Sequence, residues 1–312
     1  MRVRSKLTVG VFFVALVLFV GFFAVIAQDE VCGDEAPRVF VVSAFGAELE
    51  QLLAATEVES QCMLLGHEFT VGRLAGNDVV LALSGVSMTN AAMYTQAALD
   101  HFNITHIVFS GIAGGVNPAL HIGDVTIPEN WARYQEMLAA REVGEGEYDI
   151  AWHSADYENF EFWFPQTTSV ARKSVPGVEE EMFWFAVDPE MFAVAQSISG
   201  FDLANCTADG TCLTYDPQLV IGGNGVSGST FVDNARYRDW VWSTFAAQAL
   251  DMETSAVAMV AYTNEVPYIA FRSLSDLAGG GEGQNEIGTF FQLAADNSAS
   301  VVQAFLVAWA NR

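Results

Sequence analysis

Four stretches of this 312-residue chain carry residues able to make or break bonds. The first is Glu48, a carboxylate just past a short apolar run. The second is Gly111-Ile112-Ala113-Gly114-Gly115, read as a glycine-rich turn that leaves a buried strand. Glycines there admit a ligand close to the backbone, and bare amides can bind an oxygen or an anion. The spacing is not G-x-G-x-x-G, so it is not a dinucleotide fingerprint. The third is Asp251-Met252-Glu253, ahead of a helical pattern. Acids at that place can cap a helix and complement its dipole. Alternatively, one carboxylate faces a pocket and accepts hydrogen bonds from two adjacent hydroxyls, as a ribose diol offers. The fourth is Arg272-Ser273-Leu274-Ser275-Asp276, followed by Gly279-Gly280-Gly281. An acid at the carboxyl end of a buried strand stands where open α/β sheets bind their ligands. Taken singly, each stretch also has a purely structural explanation: a helix start, a tight strand exit, a cap or a turn.

The elements that must position these groups follow from periodicity. Residues 38–44 (RVFVVSA), 105–110 (THIVFS) and 268–273 (YIAFRS) are short apolar runs and read as buried strands. Further strands are expected at 69–73 and 78–84, joined by a Gly76-Asn77 hairpin turn, and at 124–128 and 218–221. Helices are expected over 48–56, 89–102 (capped by Thr89 or Asn90), 189–199, 234–245, 253–262 and 292–309. Residues 130 to about 215 hold many aromatics and read as long loops, apart from the helix at 189–199. Strands and helices alternate in the parallel α/β manner, with hairpins added.

The N-terminus is set aside from the fold. Arg2, Arg4 and Lys6 precede an uncharged run from residue 7 to 27 that ends in Val25-Ile26-Ala27. This is a secretory signal pattern, with a retained membrane anchor as the rival. Either one places the folded part outside the cytoplasm. Residues 28–37 form a polar lead-in, and 38–312 form the domain, with the aromatic-rich insertion at about 130–215. The net charge is −25, and removing the three basic residues of the leader makes it −28. Such a surface repels nucleic-acid phosphates, so a polymer substrate is disfavoured. Four cysteines in an oxidising compartment suggest disulfides. Cys206 and Cys212 enclose an Asp209-Gly210 turn signal, and Cys32 with Cys62 follows by elimination. His67, His101, His106, His121 and His153 form no ligand pair, and no metal or organic cofactor is implied.

In order along the chain, residues 39–53, 84–86, 111–124, 225–234, 251–258 and 266–278 resemble the superfamily of purine nucleoside phosphorylases and methylthioadenosine/S-adenosylhomocysteine nucleosidases. GIAGGVNPALHIGDVTIPENWA, GVSGSTFVDNA and DMETSAVAMV look closer still to the plant bark and vegetative storage protein branch. The resemblance implies one domain built as a three-layer sandwich, with a central mixed, largely parallel sheet flanked by helices. It implies that Asp276 protonates purine nitrogen 7 and that Glu48 activates the attacking water. It implies that Glu253 binds the ribose hydroxyls and Met252 packs on the sugar. Phe231 would stack on the base, with Val232 beside it, while Ala113, Gly114 and Ser275 line the site. A homodimer or larger homo-oligomer is expected, and the aromatics of 152–185 are candidates for that contact or for a 5′-substituent pocket.

Chemistry agrees with these roles. Cleaving an N-glycosidic bond creates an oxocarbenium-like sugar and a poor anionic leaving group, so one acid must neutralise the base and one base must deprotonate the nucleophile. No arginine lies in residues 43–48 or 111–115, and Glu48 would repel phosphate, which favours water. A phosphate-dependent phosphorylase and a non-catalytic nucleoside-binding or storage protein are the alternatives. Ser229-Thr230 stands where the nucleosidases have an aspartate near the purine amino group, a departure that bears on base specificity.

Overall fold

The computed structural model describes residues 32–152, 155–281 and 283–312. The expected leader lies outside the described residues. The β-branched run after Arg38 forms the core of β1 (Asp34–Ser43), whose Val39 to Val42 are buried. Helix α1 (Gly46–Ala54) follows, then an antiparallel run of β2 (Glu57–Leu64), β3 (His67–Leu74) and β4 (Asn77–Leu83). Helix α2 (Met88–His101) leads into the long strand β5 (Phe102–Gly115). Short strands come next: β6 (Val125–Ile127), β7 (Asn130–Ala132), β8 (Met137–Ala139), β9 (Arg141–Gly144), β10 (Glu147–Asp149), β11 (Trp163–Pro165), β12 (Thr168–Ala171), β13 (Glu179–Met182) and β14 (Trp184–Ala186). The remainder is α3 (Pro189–Ser197), β15 (Leu219–Ile221), β16 (Asn224–Ser227), α4 (Ala235–Phe245), β17 (Ala247–Asp251), α5 (Thr254–Asn264), β18 (Tyr268–Asp276) and α6 (Ile287–Ala310).

The main sheet has 12 strands in the order β14-β7-β16-β17-β5-β1-β4-β3-β2, with β18, β6 and β15 branching from β5. At its centre β1 pairs in parallel with both β4 and β5, and β18 pairs in parallel with β5. Antiparallel pairs occupy the β2–β4 side and the β17–β5 and β18–β6 junctions. The sheet is therefore mixed and largely parallel at its core, as expected. Helix α6 packs on β18 and β5, and α2 packs on α5. Among the described residues no helix is long and apolar enough to cross a membrane.

Several sequence expectations need correction. The β3–β4 turn is Ala75-Gly76, both at positive φ, not Gly76-Asn77. Asn77 is instead a buried strand residue whose amide donates to the Leu306 carbonyl at 2.8 Å. The cap of α2 is Ser87, whose hydroxyl accepts from the Asn90 N–H, rather than Thr89 or Asn90. Residues 111–115 are not a turn, because β5 runs through Gly115 and pairs there with β17. The 130–186 stretch carries short antiparallel strand pairs between its loops, where only loops were expected. Tyr157, Phe160, Phe183 and Trp184 pack there against a second core built on Tyr134, Trp240 and Phe245. Both expected disulfides, Cys206–Cys212 and Cys32–Cys62, are formed.

Candidate active site

The carboxyl ends of β1, β5, β17 and β18 converge on one cavity of about 410 Å³. Its wall includes every residue picked out from the sequence for catalysis or binding: Glu48, Ala113, Gly114, Phe231, Val232, Met252, Glu253, Ser275 and Asp276. These residues lie far apart in the chain; the parallel β1–β5–β18 core brings Glu48, Ala113, Gly114, Ser275 and Asp276 together, and the antiparallel β17 and the 229–234 loop add the rest.

Glu48 is the third residue of α1 and is buried. Its Oε2 accepts N–H bonds from Ala44 at 2.7 Å and Phe45 at 3.3 Å, so it does help to cap its own helix. Its Oε1 reaches across to β5 and accepts the Ile112 N–H at 2.7 Å. Burial raises its pKa, while the nearby Arg272 charge and these three amides pull it down. A carboxylate held this way keeps acceptor capacity on the cavity side.

Asp276 ends β18, and its placement depends on a bulge. Leu274 pairs with Ala113 and Asp276 with Gly114, so Ser275 is an extra residue in the ladder. The Ser275 hydroxyl donates to Asp276 Oδ2 at 2.9 Å. The Ala278 N–H donates to Oδ1 at 2.8 Å, and the Asn285 amide to the same oxygen at 3.3 Å. Burial again dominates and raises the pKa, against those three donors. An acid in this state keeps its proton to higher pH than a free aspartate.

The Asp251-Met252-Glu253 motif divides its labour. Asp251 does the capping: its carboxylate accepts from the Glu253 and Thr254 amides and from the Thr254 hydroxyl. Glu253, at the N-cap position of α5, makes no side-chain cap. Instead its Oε1 accepts the Ser87 N–H at 2.9 Å across the cavity wall. Burial, with the Asp251 charge adding to it, pushes its pKa up to about 8.

The cavity thus holds four carboxylates, from Glu48, Asp251, Glu253 and Asp276, and none of the residues lining it is Lys or Arg. The compensating cation is Arg272, fully buried behind them. Its Nε lies 2.7 Å from Asp251 Oδ2, and its Nε and Nη2 donate to Thr254 Oγ1 at 3.0 and 2.8 Å. The guanidinium also lies 3.9 Å from the centre of the Phe109 ring. The glycines of β5 make room for this arrangement. A Cβ on Gly111 would overlap the Arg272 guanidinium and lie 2.7 Å from Glu48 Oε1, and one on Gly114 would lie 3.3 Å from Asp276 Oδ1. Close approach, not a turn, is what these glycines serve.

Sequence reasoning missed Asp251 as the link between Arg272 and the α5 cap, and it missed Asn285 altogether. Asn285 lies in a glycine-rich segment with no periodic signal. It also missed the apolar end of the cavity, made by Phe45, Val86, Ile287 and Phe291. Among the described residues, none of 152–185 lines this cavity, although Phe160 and Trp163 of that stretch line a neighbouring groove. Among the described residues, no three His, Cys, Asp or Glu side chains are placed to hold a metal ion.

Fold and site together define an α/β protein with an acidic, largely apolar-walled cavity at its strand ends. The profile of the phosphorylase superfamily matches residues 38–307, and the chain belongs to that superfamily. It is 27% identical over 270 residues to a 5′-methylthioadenosine/S-adenosylhomocysteine nucleosidase of Geobacillus kaustophilus, covering 86% of this chain and 96% of that protein. It is 23% identical to bark storage protein B of Populus deltoides, over 71% of this chain and 72% of the other. Among solved structures, the Neisseria meningitidis 5′-methylthioadenosine/S-adenosylhomocysteine nucleosidase bound to methylthio-immucillin-A superimposes with a TM-score of 0.64 at 24% identity, covering 87% of this chain and 99% of that one. Futalosine hydrolase of Helicobacter pylori gives 0.62 at 19% identity, covering 86% and 97%. These likenesses establish the shared fold.

Proposed function

We propose that this chain is an exported purine nucleosidase that hydrolyses the bond between purine N9 and ribose C1′. The observation that carries the reading is the placement of Glu48 and Asp276 on one cavity, with Glu253 also facing it. The Glu253 carboxyl hydrogen-bonds the ribose 2′ and 3′ hydroxyls, Met252 packs on the sugar and Phe231 stacks on the base. Asp276, protonated because it is buried, gives its proton to N7 as the C1′–N9 electron pair moves into the purine. Glu48 takes a proton from water, whose oxygen bonds to C1′ on the opposite face. The base leaves neutral, and the proton gained by Glu48 returns through solvent to Asp276. Each proton transfer contributes roughly 100- to 10,000-fold.

Water is favoured over phosphate because the lining combines four carboxylates with no cation, an environment that opposes a phosphate dianion. The nucleosidase names of the relatives support hydrolysis, and methylthioadenosine and S-adenosylhomocysteine head the substrates to try. Export is supported by the leader pattern and the two disulfides. A homodimer is expected, and light scattering after size exclusion checks it. The similarity to bark storage protein B favours a second reading, in which the site binds a nucleoside without turnover. A panel of purine nucleosides, with and without phosphate, separates the cases. Free base in phosphate-free buffer supports the nucleosidase, phosphate-dependent release a phosphorylase, and saturable binding without release the storage reading.

A further inference from the structure

A second groove, of about 670 Å³, adjoins the catalytic cavity and shares its Thr230-Phe231-Val232 wall. Gln135, Met137, Phe160, Trp163 and Tyr237 form much of the rest. A tight turn builds it. Phe160 and Trp163 exchange reciprocal backbone hydrogen bonds of 2.9 Å, and Glu161 between them has φ +55°. Phe160 is anchored edge-on to Tyr237 at 4.8 Å. Phe231 and Trp163 are 51% and 40% exposed, so both ring surfaces are open to a ligand in the groove. The two acids on the groove are already engaged. Glu161 pairs with Arg236 at 2.9 Å, and Asp233 accepts from the Asn285 amide at 3.0 Å. Gln135 donates to the Tyr134 and Tyr237 hydroxyls.

Asn285 fixes which end of the cavity the groove joins. The same side-chain amide donates to Asp276 Oδ1 and to Asp233 Oδ1. The groove therefore opens beside the proton donor, at the base end and away from the sugar-facing Glu253. In a purine, the substituent on carbon 6 lies on the same side of the ring system as N7. A base that presents N7 to Asp276 directs its 6-substituent toward this groove.

We infer that the site takes purine nucleosides bearing an aryl or branched-alkyl group on the 6-amino nitrogen, with that group seated between Phe231, Trp163 and Phe160. This rests on the nucleosidase reading and names a substrate class within it. The test compares kcat/KM for adenosine and N6-benzyladenosine in the wild type and in Trp163→Ala. The wild type is expected to cleave the benzylated nucleoside at least as efficiently as adenosine. Trp163→Ala is expected to lower kcat/KM for the benzylated substrate roughly 3- to 10-fold, through loss of one aromatic contact, and to leave adenosine within about twofold. Cleavage of adenosine with none of N6-benzyladenosine, or an equal loss on both in Trp163→Ala, overturns the inference and leaves the nucleosidase reading standing. If neither is cleaved, methylthioadenosine and S-adenosylhomocysteine still test the nucleosidase reading, and equilibrium binding decides the groove. N6-benzyladenosine must then bind more tightly than adenosine and lose the advantage in Trp163→Ala; equal affinities overturn the inference.

Discussion

Replacing Glu253 with Gln is expected to stabilise the fold while removing activity, and the gain follows from pH linkage. Glu253 has an ordinary value of 4.5 and is raised to about 8 in the fold by burial and by the Asp251 charge. Below pH 4.5 both folded and unfolded chains hold the proton, and the residue makes no difference. Between 4.5 and about 8 the unfolded chain loses the proton while the folded chain retains it, so stability falls as pH rises. At about 1.4 kcal/mol per pH unit, this costs about 3 kcal/mol at pH 7 and about 5 kcal/mol above pH 8. Gln keeps the size of the side chain and an oxygen for the Ser87 N–H, but it has no proton to lose. The variant should therefore match wild type near pH 4.5 and exceed it by about 3 kcal/mol at pH 7. For a chain this size that is roughly 5 °C in Tm. Urea unfolding at pH 5, 7 and 9 reads the difference between the two proteins, which cancels the slopes due to Glu48 and Asp276. A difference that stays flat across that range, or a less stable variant at pH 9, refutes the reasoning about this buried cluster.

Other perturbations address the chemistry and the frame. Asp276→Asn should lower kcat roughly 100- to 10,000-fold with little change in KM, measured by release of free base, because an amide cannot supply the proton. Glu48→Gln should lose a similar factor in kcat and also some stability, since its single amide oxygen cannot accept from both Ile112 and the Ala44 and Phe45 amides; urea unfolding beside the kinetics separates the two effects. Arg272→Met should destabilise by about 3–5 kcal/mol at pH 7 in urea unfolding, because Asp251 loses its buried partner. Loss of the Cys32–Cys62 bridge, which spans 30 residues, should cost about 4 kcal/mol, against about 2 kcal/mol for Cys206–Cys212, which spans 6. Thermal melts of the paired Cys→Ser variants check that order.

The central strands were legible because they are buried on both faces and read as unbroken apolar runs, as in β1 and β18. β2 was not, since its outward face is solvated and its polar residues break the pattern. β16 and β17 were missed because Gly225 and the mixed AQALD segment carry little β signal on their own. The carboxylates proposed for catalysis were legible by position, each just past a readable strand or ahead of a readable helix. What periodicity could not reach was the relation between them. The bulge at Ser275, the Arg272–Asp251 pair and the bridge from Asp276 through Asn285 to Asp233 all join residues distant in the chain. The glycine-rich stretch shows the limit most clearly. Its composition suggested a turn, whereas its role is to let Arg272, Glu48 and Asp276 crowd against a strand.

The most direct measurement follows the sugar released from a purine nucleoside by proton NMR in phosphate-free buffer. With a donor and a water-activating carboxylate on opposite faces of the ring, the first product is the α-anomer of the free sugar, appearing in step with free purine and at a rate indifferent to added phosphate. A sugar 1-phosphate as the product, or no sugar at all with or without phosphate, contradicts the account.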